Sequence, residues 1–360
     1  MALIFHGHRE SSRCDMQTGL VLGTDGVPLP SRESIARLTV DGDIRIVCYT
    51  WNINNKGIEC VEYIAKMLSL TPGDQQADLI AIALQELPTF ELCYHKKAVL
   101  HLEKVLGSSH KCLMYIRKFA QFMIFFVRTQ LADYVSRKEY MFIGKMALPI
   151  RTKGAIAVSV RILHKNCVFV GCHLPHSSSG RRIEAYQQIA SKIRFRWMSA
   201  ALSTSHVEDP LKLADAVFWF GDLNFRLNYA VLVEEPLPFD SSQIHTSIYH
   251  KLQYDELYLE STRGTIFNGF REALIHFFPT YKYIPGSHKL DKTRTPSYTD
   301  RVLYWSQNPI NVRPVLYDSH ATSTISDHQA VQCTFRLRIF TPKFQNRPLY
   351  LHVNHNEKEK

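Results

Sequence analysis

The sequence predicts an α/β (α+β) fold in which two packed β-sheets are flanked by helices. Continuous apolar runs of strand length recur along the chain, and segments with helical periodicity lie between some of them. Other gaps between runs are only as long as a hairpin, which favours packed sheets with helices outside them. With 45% apolar residues among 360, the chain can bury a sizeable core. We therefore predict one domain over residues 41–342, with a lead-in at 1–40 and a polar tail at 343–360.

Strands and helices are predicted in a mixed order along the chain. The first strand, 44–51, precedes a helical stretch with one apolar face, formed by Ile58, Val61, Ile64, Met67 and Leu68. Further strands are predicted at 79–86, 113–119, 122–128, 155–162, 167–174, 216–223, 302–305 and 330–340. Further helices are predicted at 91–106, 180–200 and 243–259.

Charge and composition narrow the class of protein. The net charge of +10 favours an anionic partner such as nucleic acid, inositol phosphates or an acidic membrane face. The eight cysteines show no C-x-x-C spacing, so neither a zinc site nor a disulfide framework is expected. The longest apolar runs are strand-sized, and neither a signal peptide nor a prenylation cysteine is recognisable. These features predict a cytoplasmic protein without a transmembrane segment.

A basic loop over residues 279–305 stands out from the rest of the chain. It places five cations among three tyrosines and ends in the strand-like run VLYW; the cations are Lys282, Lys289, Lys292, Arg294 and Arg301. In isolation this pattern fits a loop that gathers phosphate and an ordinary solvated loop equally well.

Six of the apolar runs end in, or are preceded by, polar side chains that strand propensity does not favour. These are Asn52, Glu86, His173, Asp222 with Asn224, Asp300, and Asp327 with His328. Each alone fits a cap or a turn residue, but six in one domain indicate a site at the strand ends. Carboxylate and amide oxygens such as those of Glu86 and Asn52 suit Mg²⁺. With no C-x₅-R loop present, direct attack by water with metal assistance is the predicted chemistry.

The segments TWN, QE, WFGDLNFRL, PSYTDR and SDH occur in the order seen in inositol polyphosphate 5-phosphatases, and the chain resembles that family over residues 44–340. The family lies within the metal-dependent endonucleases, exonucleases and phosphatases related to deoxyribonuclease I. RTKGAIAVS (151–159) and RTPSYTDRVLY (294–304) are most similar to its type IV subgroup. The resemblance implies a four-layer α/β/β/α sandwich, deoxyribonuclease I-like, and a Mg²⁺-dependent hydrolase.

The resemblance also implies roles for individual residues. Glu86 and Asn52 would hold the metal, with Asp327 beside it. Asp222 would activate the water and Asn224 would position it, while His328, oriented by Asp300, and His173 would contact the phosphate that is removed. A second group would bind the substrate's other phosphates: Tyr281, Lys282, Lys292 and Arg294 the 4-phosphate, and Lys153 the 1-phosphate.

The expected function is removal of the 5-phosphate from phosphatidylinositol 3,4,5-trisphosphate and 4,5-bisphosphate at membrane surfaces. Soluble inositol phosphates remain alternative substrates, and a nuclease of the same superfamily or an inactive lipid-binding module are alternative classes. The nuclease is disfavoured because it has no use for the phosphate-binding lysines and arginine. The run 141–150 fits an apolar loop that contacts lipid and, equally well, an ordinary strand and turn.

Overall fold

Two six-stranded β-sheets form the centre of the protein. The computed structural model describes residues 13–14, 21–22, 30–107, 109–147, 151–204, 209–228, 250–291 and 293–340. The strands are β1 Arg13–Cys14, β2 Val21–Leu22, β3 Asp43–Asn52, β4 Leu79–Gln85, β5 His110–Lys118, β6 Gln121–Arg128, β7 Val135–Ala147, β8 Arg151–Ile162, β9 Lys165–His173, β10 Ala216–Asp222, β11 Arg271–Glu272, β12 Asp300–Ser306, β13 Val312–Ser319 and β14 Val331–Arg338. The helices are α1 Arg32–Leu38, α2 Glu59–Ser69, α3 Tyr94–Leu106, α4 Ser179–Lys192, α5 Arg196–Thr204 and α6 Glu256–Thr262.

Both sheets are mixed. One has the order β11–β12–β10–β9–β8–β7 and the other the order β13–β14–β3–β4–β6–β5, while β1 and β2 form a separate two-stranded ribbon. Only β3 with β4 and β9 with β10 pair in parallel, and the other pairs of the two large sheets are antiparallel.

Three apolar clusters hold four layers together. Alternate residues of β3, such as Ile46 and Cys48, face a core shared by the two sheets. The intervening residues, such as Val47 and Tyr49, pack against α2 and α3. On the other sheet, α4 and α5 cover the outer face, with Tyr186 buried among its residues. The predicted α/β/β/α sandwich is therefore confirmed.

Several elements differ from the sequence prediction. The predicted helix 180–200 is two helices, α4 and α5, separated at residues 193–195. Of the predicted helix 243–259, residues 243–249 lie outside the described residues, and residues 253–255 are not helical. The sequence also did not predict β13, an edge strand with exposed positions that carries no continuous apolar run.

Helix α1 lies within the predicted lead-in and contacts the domain. The Ser31 hydroxyl caps it by accepting from the amide of Ser34 at 3.1 Å. Its Ile35 is buried in the core between the sheets. The boundary at residue 41 stays a prediction. None of the described helices is both long enough and apolar enough to cross a membrane.

Strand pairing brings the polar strand ends to one edge of the sandwich. Asn52 lies opposite Gln85, which precedes Glu86, and Asp222 lies opposite both His173 and Asp300. The two sheets meet at this edge, where the Asn52 amide donates to an Asp222 oxygen at 2.9 Å.

Candidate active site

Asp222 lies at the centre of the site and is almost fully buried. Its Oδ2 accepts from Asn52 Nδ2 at 2.9 Å and lies 3.2 Å from His173 Nε2, while Oδ1 accepts from the amide of Asn224 at 3.1 Å. Gly221 before it has φ of +146°, and a Cβ there would lie 1.9 Å from the carbonyl oxygen of Cys172. Because only glycine fits this approach of β10 to β9, Gly221 fixes where Asp222 is presented.

The charges around Asp222 keep it ionised. Burial opposes ionisation, but the hydrogen bond from His173 and the nearby His328 and Lys153 outweigh it and hold the pKa of Asp222 well below its usual range. Burial lowers the pKa of His173, and the neighbouring Lys153 ammonium, which contacts His173 Nε2, lowers it further. His173 is therefore neutral near pH 7.

His328 and Asp300 form a buried pair. His328 Nδ1 lies 2.9 Å from Asp300 Oδ2, and that oxygen also accepts from the hydroxyls of Thr280 at 2.7 Å and Thr299 at 2.8 Å. Burial opposes protonation of His328, but Asp300, followed by Asp222 and Asp327, raises its pKa to about 9. The imidazole is therefore a cation near pH 7 and has Nε2 left to donate.

Arg226 belongs to the site, although the sequence analysis assigned it no role. Its guanidinium donates to Asn224 Oδ1 at 2.5 Å and lies 4.5 Å from the ring centroid of Tyr281. That ring in turn packs on His328 at 4.5 Å between centroids. The signal was present in the sequence, since Arg226 stands two residues after Asn224 in WFGDLNFRL.

The residues predicted to bind metal lie beside Asp222. Glu86 has φ of +56°, and its Oε1 lies 3.7 Å from His173 Nε2. Asn52 Oδ1 accepts from the amide of Asn54, and Asp327 lines the same cleft. These oxygen donors are the type that Mg²⁺ takes, so the residues present fit that ion.

A second group with metal-ligand spacing lies deeper in the site. Asp222, Asp300 and His328 are buried and offer ligand atoms within 4.8 Å of one another. Because His328 Nδ1 already bonds to Asp300, we favour the Glu86 side of Asp222 for the cation. Among the described residues, Asp300 Oδ1 has no hydrogen-bond donor, and burial raises the pKa of this carboxyl group.

One cleft of about 550 Å³ joins most of these groups, and Asp300 is not among its lining residues. The lining residues of the site are Asn52, Glu86, His173, Asp222, Asn224, Arg226, Asp327 and His328. The predicted cations Lys153, Lys282 and Arg294 are at its walls together with Tyr281. Lys282 Nζ lies 3.5 Å from Asp291 Oδ2, and Arg294 is exposed. Lys292 lies outside the described residues. The cleft also contains residues that the sequence analysis did not assign: Asn54, His176, Leu227 and Thr295.

The sequence and fold define the class of protein. Residues 49–334 match the model of "Endonuclease/Exonuclease/phosphatase family 2", and the chain belongs to this family. Within it, the chain is a member of the inositol polyphosphate 5-phosphatases, as the resemblance predicted.

Known relatives agree with this assignment. The mouse "Phosphatidylinositol polyphosphate 5-phosphatase type IV" is 31% identical over 326 residues, which are 88% of this chain and 49% of that protein. "Type IV inositol polyphosphate 5-phosphatase 11" of Arabidopsis thaliana is 26% identical over 328 residues, which are 87% of this chain and 89% of that protein. The chain thus spans about half the length of the mammalian type IV relatives that it matches.

Solved structures share the fold. The inositol polyphosphate 5-phosphatase domain of SpSynaptojanin, in complex with inositol (1,4)-bisphosphate and calcium, superposes with a TM-score of 0.66 at 23% identity, covering 82% of this chain and 84% of that one. A Cimex nitrophorin superposes with a TM-score of 0.64 at 21% identity, covering 82% and 99%. Since a nitrophorin has the same sandwich, the fold alone does not decide function.

Proposed function

We propose that the protein is a Mg²⁺-dependent hydrolase that removes the 5-phosphate from phosphoinositides. The observation that carries this proposal is the pairing of an ionised, buried Asp222 with a cationic His328 in one cleft. The Asp222 carboxylate can accept a proton from a water, and the His328 imidazolium can donate a hydrogen bond to a phosphoryl oxygen. Hydrolysis of a phosphate ester by direct water attack needs both.

Residues of the site can position the attacking water and the phosphate for the reaction. Within the part of the chain that the structure describes, Asp222 Oδ1 accepts only from the amide of Asn224, so this oxygen has an acceptor position left for the attacking water. As the water oxygen bonds to phosphorus, its proton passes to Asp222. The bond from phosphorus to the inositol oxygen breaks, and that oxygen takes a proton from a solvent water to become the product hydroxyl. His328 stabilises the charge that builds on the phosphoryl oxygens. Glu86, Asn52 and Asp327 would hold Mg²⁺, which would polarise the phosphate.

The cations of the cleft favour a substrate with more than one phosphate. Lys153 of β8, together with Lys282 and Arg294 of the basic loop, lines the cleft, and these cations can bind phosphates that are not cut. The ligand of the SpSynaptojanin domain, inositol (1,4)-bisphosphate, is what a 1,4,5-trisphosphate becomes after loss of its 5-phosphate. We propose phosphatidylinositol 3,4,5-trisphosphate and 4,5-bisphosphate as substrates, with soluble inositol phosphates as the alternative.

A substrate panel tests the proposed activity. Short-chain phosphoinositides, soluble inositol phosphates and supercoiled plasmid are incubated with Mg²⁺ or with a chelator, and released phosphate and plasmid nicking are measured. We expect phosphate release from 5-phosphorylated substrates only, and only with the metal. Nicking of plasmid without phosphate release would contradict the proposal and favour a nuclease.

Asp222→Ala tests the proposed role of the central carboxylate. We expect turnover to fall by roughly three orders of magnitude or more, because the acceptor for the water's proton is lost. Binding of a short-chain lipid, measured by calorimetry, should change little because the cations remain. Near-normal turnover of the variant would rule out this role.

Arg294→Ala tests binding of the neighbouring phosphate. We expect KM to rise about tenfold for substrates with a 4-phosphate and to stay constant for substrates without one. Lys289→Ala is the matched control, because Lys289 is an exposed cation of the same loop that does not line the cleft. Equal effects on both substrate types would argue against a 4-phosphate contact.

A further inference from the structure

Three arginines stand side by side on neighbouring strands, at the end of one sheet that lies away from the cleft. Arg313 of β13 pairs in register with Arg336 of β14, and Arg336 pairs in register with Arg45 of β3. Residues directly opposite each other in antiparallel strands have side chains on the same face, with Cβ atoms about 5 Å apart. Since Phe335 and Leu337 face the core between the sheets, the arginines lie on the outer face.

A fourth arginine extends this row along β14. Arg338 stands two residues after Arg336, so it lies on the same face about 7 Å further along the strand. Arg338 Nε lies 2.5 Å from Asp43 Oδ1, and Arg313 donates to Asp43 Oδ2 at 2.7 Å. Asp43 is buried and holds both guanidinium groups in place, but one carboxylate cannot neutralise two arginines. We refer to Arg45, Arg313, Arg336 and Arg338 as the arginine face.

Arg336 has no partner of its own. Within the described part of the chain, its guanidinium forms no ion pair and no hydrogen bond. Asp78, the other carboxylate beside the arginine face, pairs with Arg128 at 2.9 Å and accepts from the backbone amide of Arg45 at 2.7 Å. Like charges directly opposite each other destabilise a sheet, and Arg336 has one on each side. No described partner of Arg336 offsets this repulsion.

The spacing of the arginine face fits an extended acidic segment. In an extended peptide, side chains two residues apart lie on the same side about 7 Å apart, which is the spacing of Arg336 and Arg338 along β14. Each guanidinium can bind a carboxylate through two hydrogen bonds. In the next row Leu316, which is 47% exposed and lies opposite Thr334, offers an apolar contact. The described residues of these rows include no exposed aromatic ring on which a nucleic-acid base would stack.

The position of the arginine face favours a protein partner over a membrane. β14 begins at Val331, three residues after His328 of the cleft, and Arg336 and Arg338 lie toward its other end. β13 runs in the opposite direction, with Arg313 as its second residue. A membrane bound at this end would hold the cleft away from the bilayer. This choice of partner rests on the proposed function, because it assumes a substrate in the bilayer.

We infer that the arginine face binds an extended acidic segment of a partner protein, with carboxylates at alternate positions contacting Arg336 and Arg338. None of the four arginines has a role in the proposed mechanism. Because the arginine face and the cleft lie toward opposite ends of the strands, partner and substrate can be bound at the same time. The surface therefore recruits the protein without competing with its substrate.

Binding is tested with the full chain and a short fluorescein-labelled peptide of alternating glutamate and threonine, followed by fluorescence anisotropy. We expect the double variant Arg313→Gln with Arg336→Gln to bind the peptide at least about tenfold more weakly than the wild type. Added salt should weaken binding by the wild type. The matched control is Arg196→Gln with Arg263→Gln, which removes the same charge from exposed positions of α5 and α6. It should bind the peptide within about twofold of the wild type.

Thermal unfolding separates a binding role from a structural one. Arg336→Gln removes repulsion from the neighbouring strands and breaks no described contact, so we expect the thermal midpoint to stay or to rise. An arginine that holds the sheet together would lower the midpoint when replaced. A lower midpoint would therefore overturn the inference.

Competition with substrate and with other anions completes the test. The peptide should leave hydrolysis of a soluble short-chain substrate within about twofold of its rate without peptide. Inhibition that persists in the double variant would place the peptide in the cleft and overturn the inference, as would equal peptide binding by wild type and double variant. Tighter binding of duplex DNA or phosphatidylserine vesicles to the same arginines would overturn it in favour of those partners. If no substrate is hydrolysed, the proposed function fails while the anisotropy result still decides the binding.

Discussion

At the scale of single residues, the central feature is a histidine kept positively charged by its neighbours. His328 is buried, and burial alone would favour its neutral form. Asp300, anchored by Thr280 and Thr299, reverses this preference and orients the ring through Nδ1. Protonation of His328 then stabilises the folded protein fully below its unfolded pKa of about 6.5, and this contribution is lost as pH rises through about 9.

Asp300→Asn tests this coupling. Removing the charge should lower the pKa of His328 toward its ordinary value, so the alkaline limb of kcat/KM moves down by roughly one to two pH units. The profile is measured with a soluble substrate from pH 6 to 10, the range that brackets both values. Asp318→Asn, which removes an exposed carboxylate, should leave the limb in place. An unchanged limb in Asp300→Asn would mean that another group titrates there.

At the scale of secondary structure, a buried ion network ties β12 to its neighbours. Arg301 of β12 donates to Asp255 before α6 at 2.8 Å and to both oxygens of Glu272 in β11 at 2.7 and 2.5 Å. The hydroxyl of Tyr317 in β13 donates to Glu272 at 2.7 Å. Since Asp300 directly precedes Arg301, the network fixes the start of β12 and thereby the carboxylate that orients His328.

Glu272→Ala tests the network. The change leaves a buried guanidinium with one carboxylate partner, so we expect the free energy of unfolding to fall by about 3 kcal/mol. Denaturant unfolding monitored by circular dichroism measures this change. Arg263→Ala is the control, because it removes an exposed pair with Glu260 and should cost less than about 1 kcal/mol. A loss from Glu272→Ala no larger than that of the control would mean that the network adds little to stability.

At the scale of the whole molecule, aromatic rings join the two sheets. Phe169 and Phe218 stack at 5.0 Å between centroids, and the second sheet contributes Phe125 at 5.3 Å from Phe169 and Phe335 at 5.0 Å from Phe218. The site depends on this packing, because Asn52 and Asp222 meet from different sheets.

Phe218→Ala tests the contact between the sheets. A buried ring replaced by a methyl group should lower the free energy of unfolding by roughly 4 kcal/mol and lower the thermal midpoint accordingly. At temperatures well below the new thermal midpoint the variant should remain active, because no cleft residue is changed. Leu274→Ala, at an exposed side chain, is the control and should shift the midpoint little. A variant that keeps its midpoint but loses activity would contradict a purely structural role.

Much of this architecture could be predicted from the sequence, because central strands have a recognisable sequence pattern. β4, β6, β9 and β10 are buried on both faces and appear as continuous apolar runs. Edge strands are harder to recognise. In β13 only Val312 and Tyr317 are buried, and the strand contains Pro314, so neither an apolar run nor an alternating pattern marks it. The polar residues at the strand ends were recognisable as well, because each of them stands where a continuous apolar run begins or stops.

The side chains that could not be assigned from the sequence belong to the site through contacts with residues that are distant in sequence. Arg226 matters because a turn at Asn224, with φ of +58°, brings it over Tyr281, which is far away in sequence. Arg117 and the carbonyl oxygens of Pro88 and Glu91 likewise meet only through the fold. Single-sequence patterns carry no information on such contacts, whereas family motifs carry it only for the residues they contain.

The position of β3 has a consequence for how the protein is made. β3 ends at Asn52, yet one of its two neighbours, β14, begins at Val331. The Trp51 indole likewise donates to the carbonyl oxygen of His328, 277 residues later. A nascent chain therefore exposes an apolar, unpaired strand edge until β14 has been synthesised. Nascent chains stalled before residue 331 should bind chaperones and have no activity, and both properties should change together once β14 has left the exit tunnel.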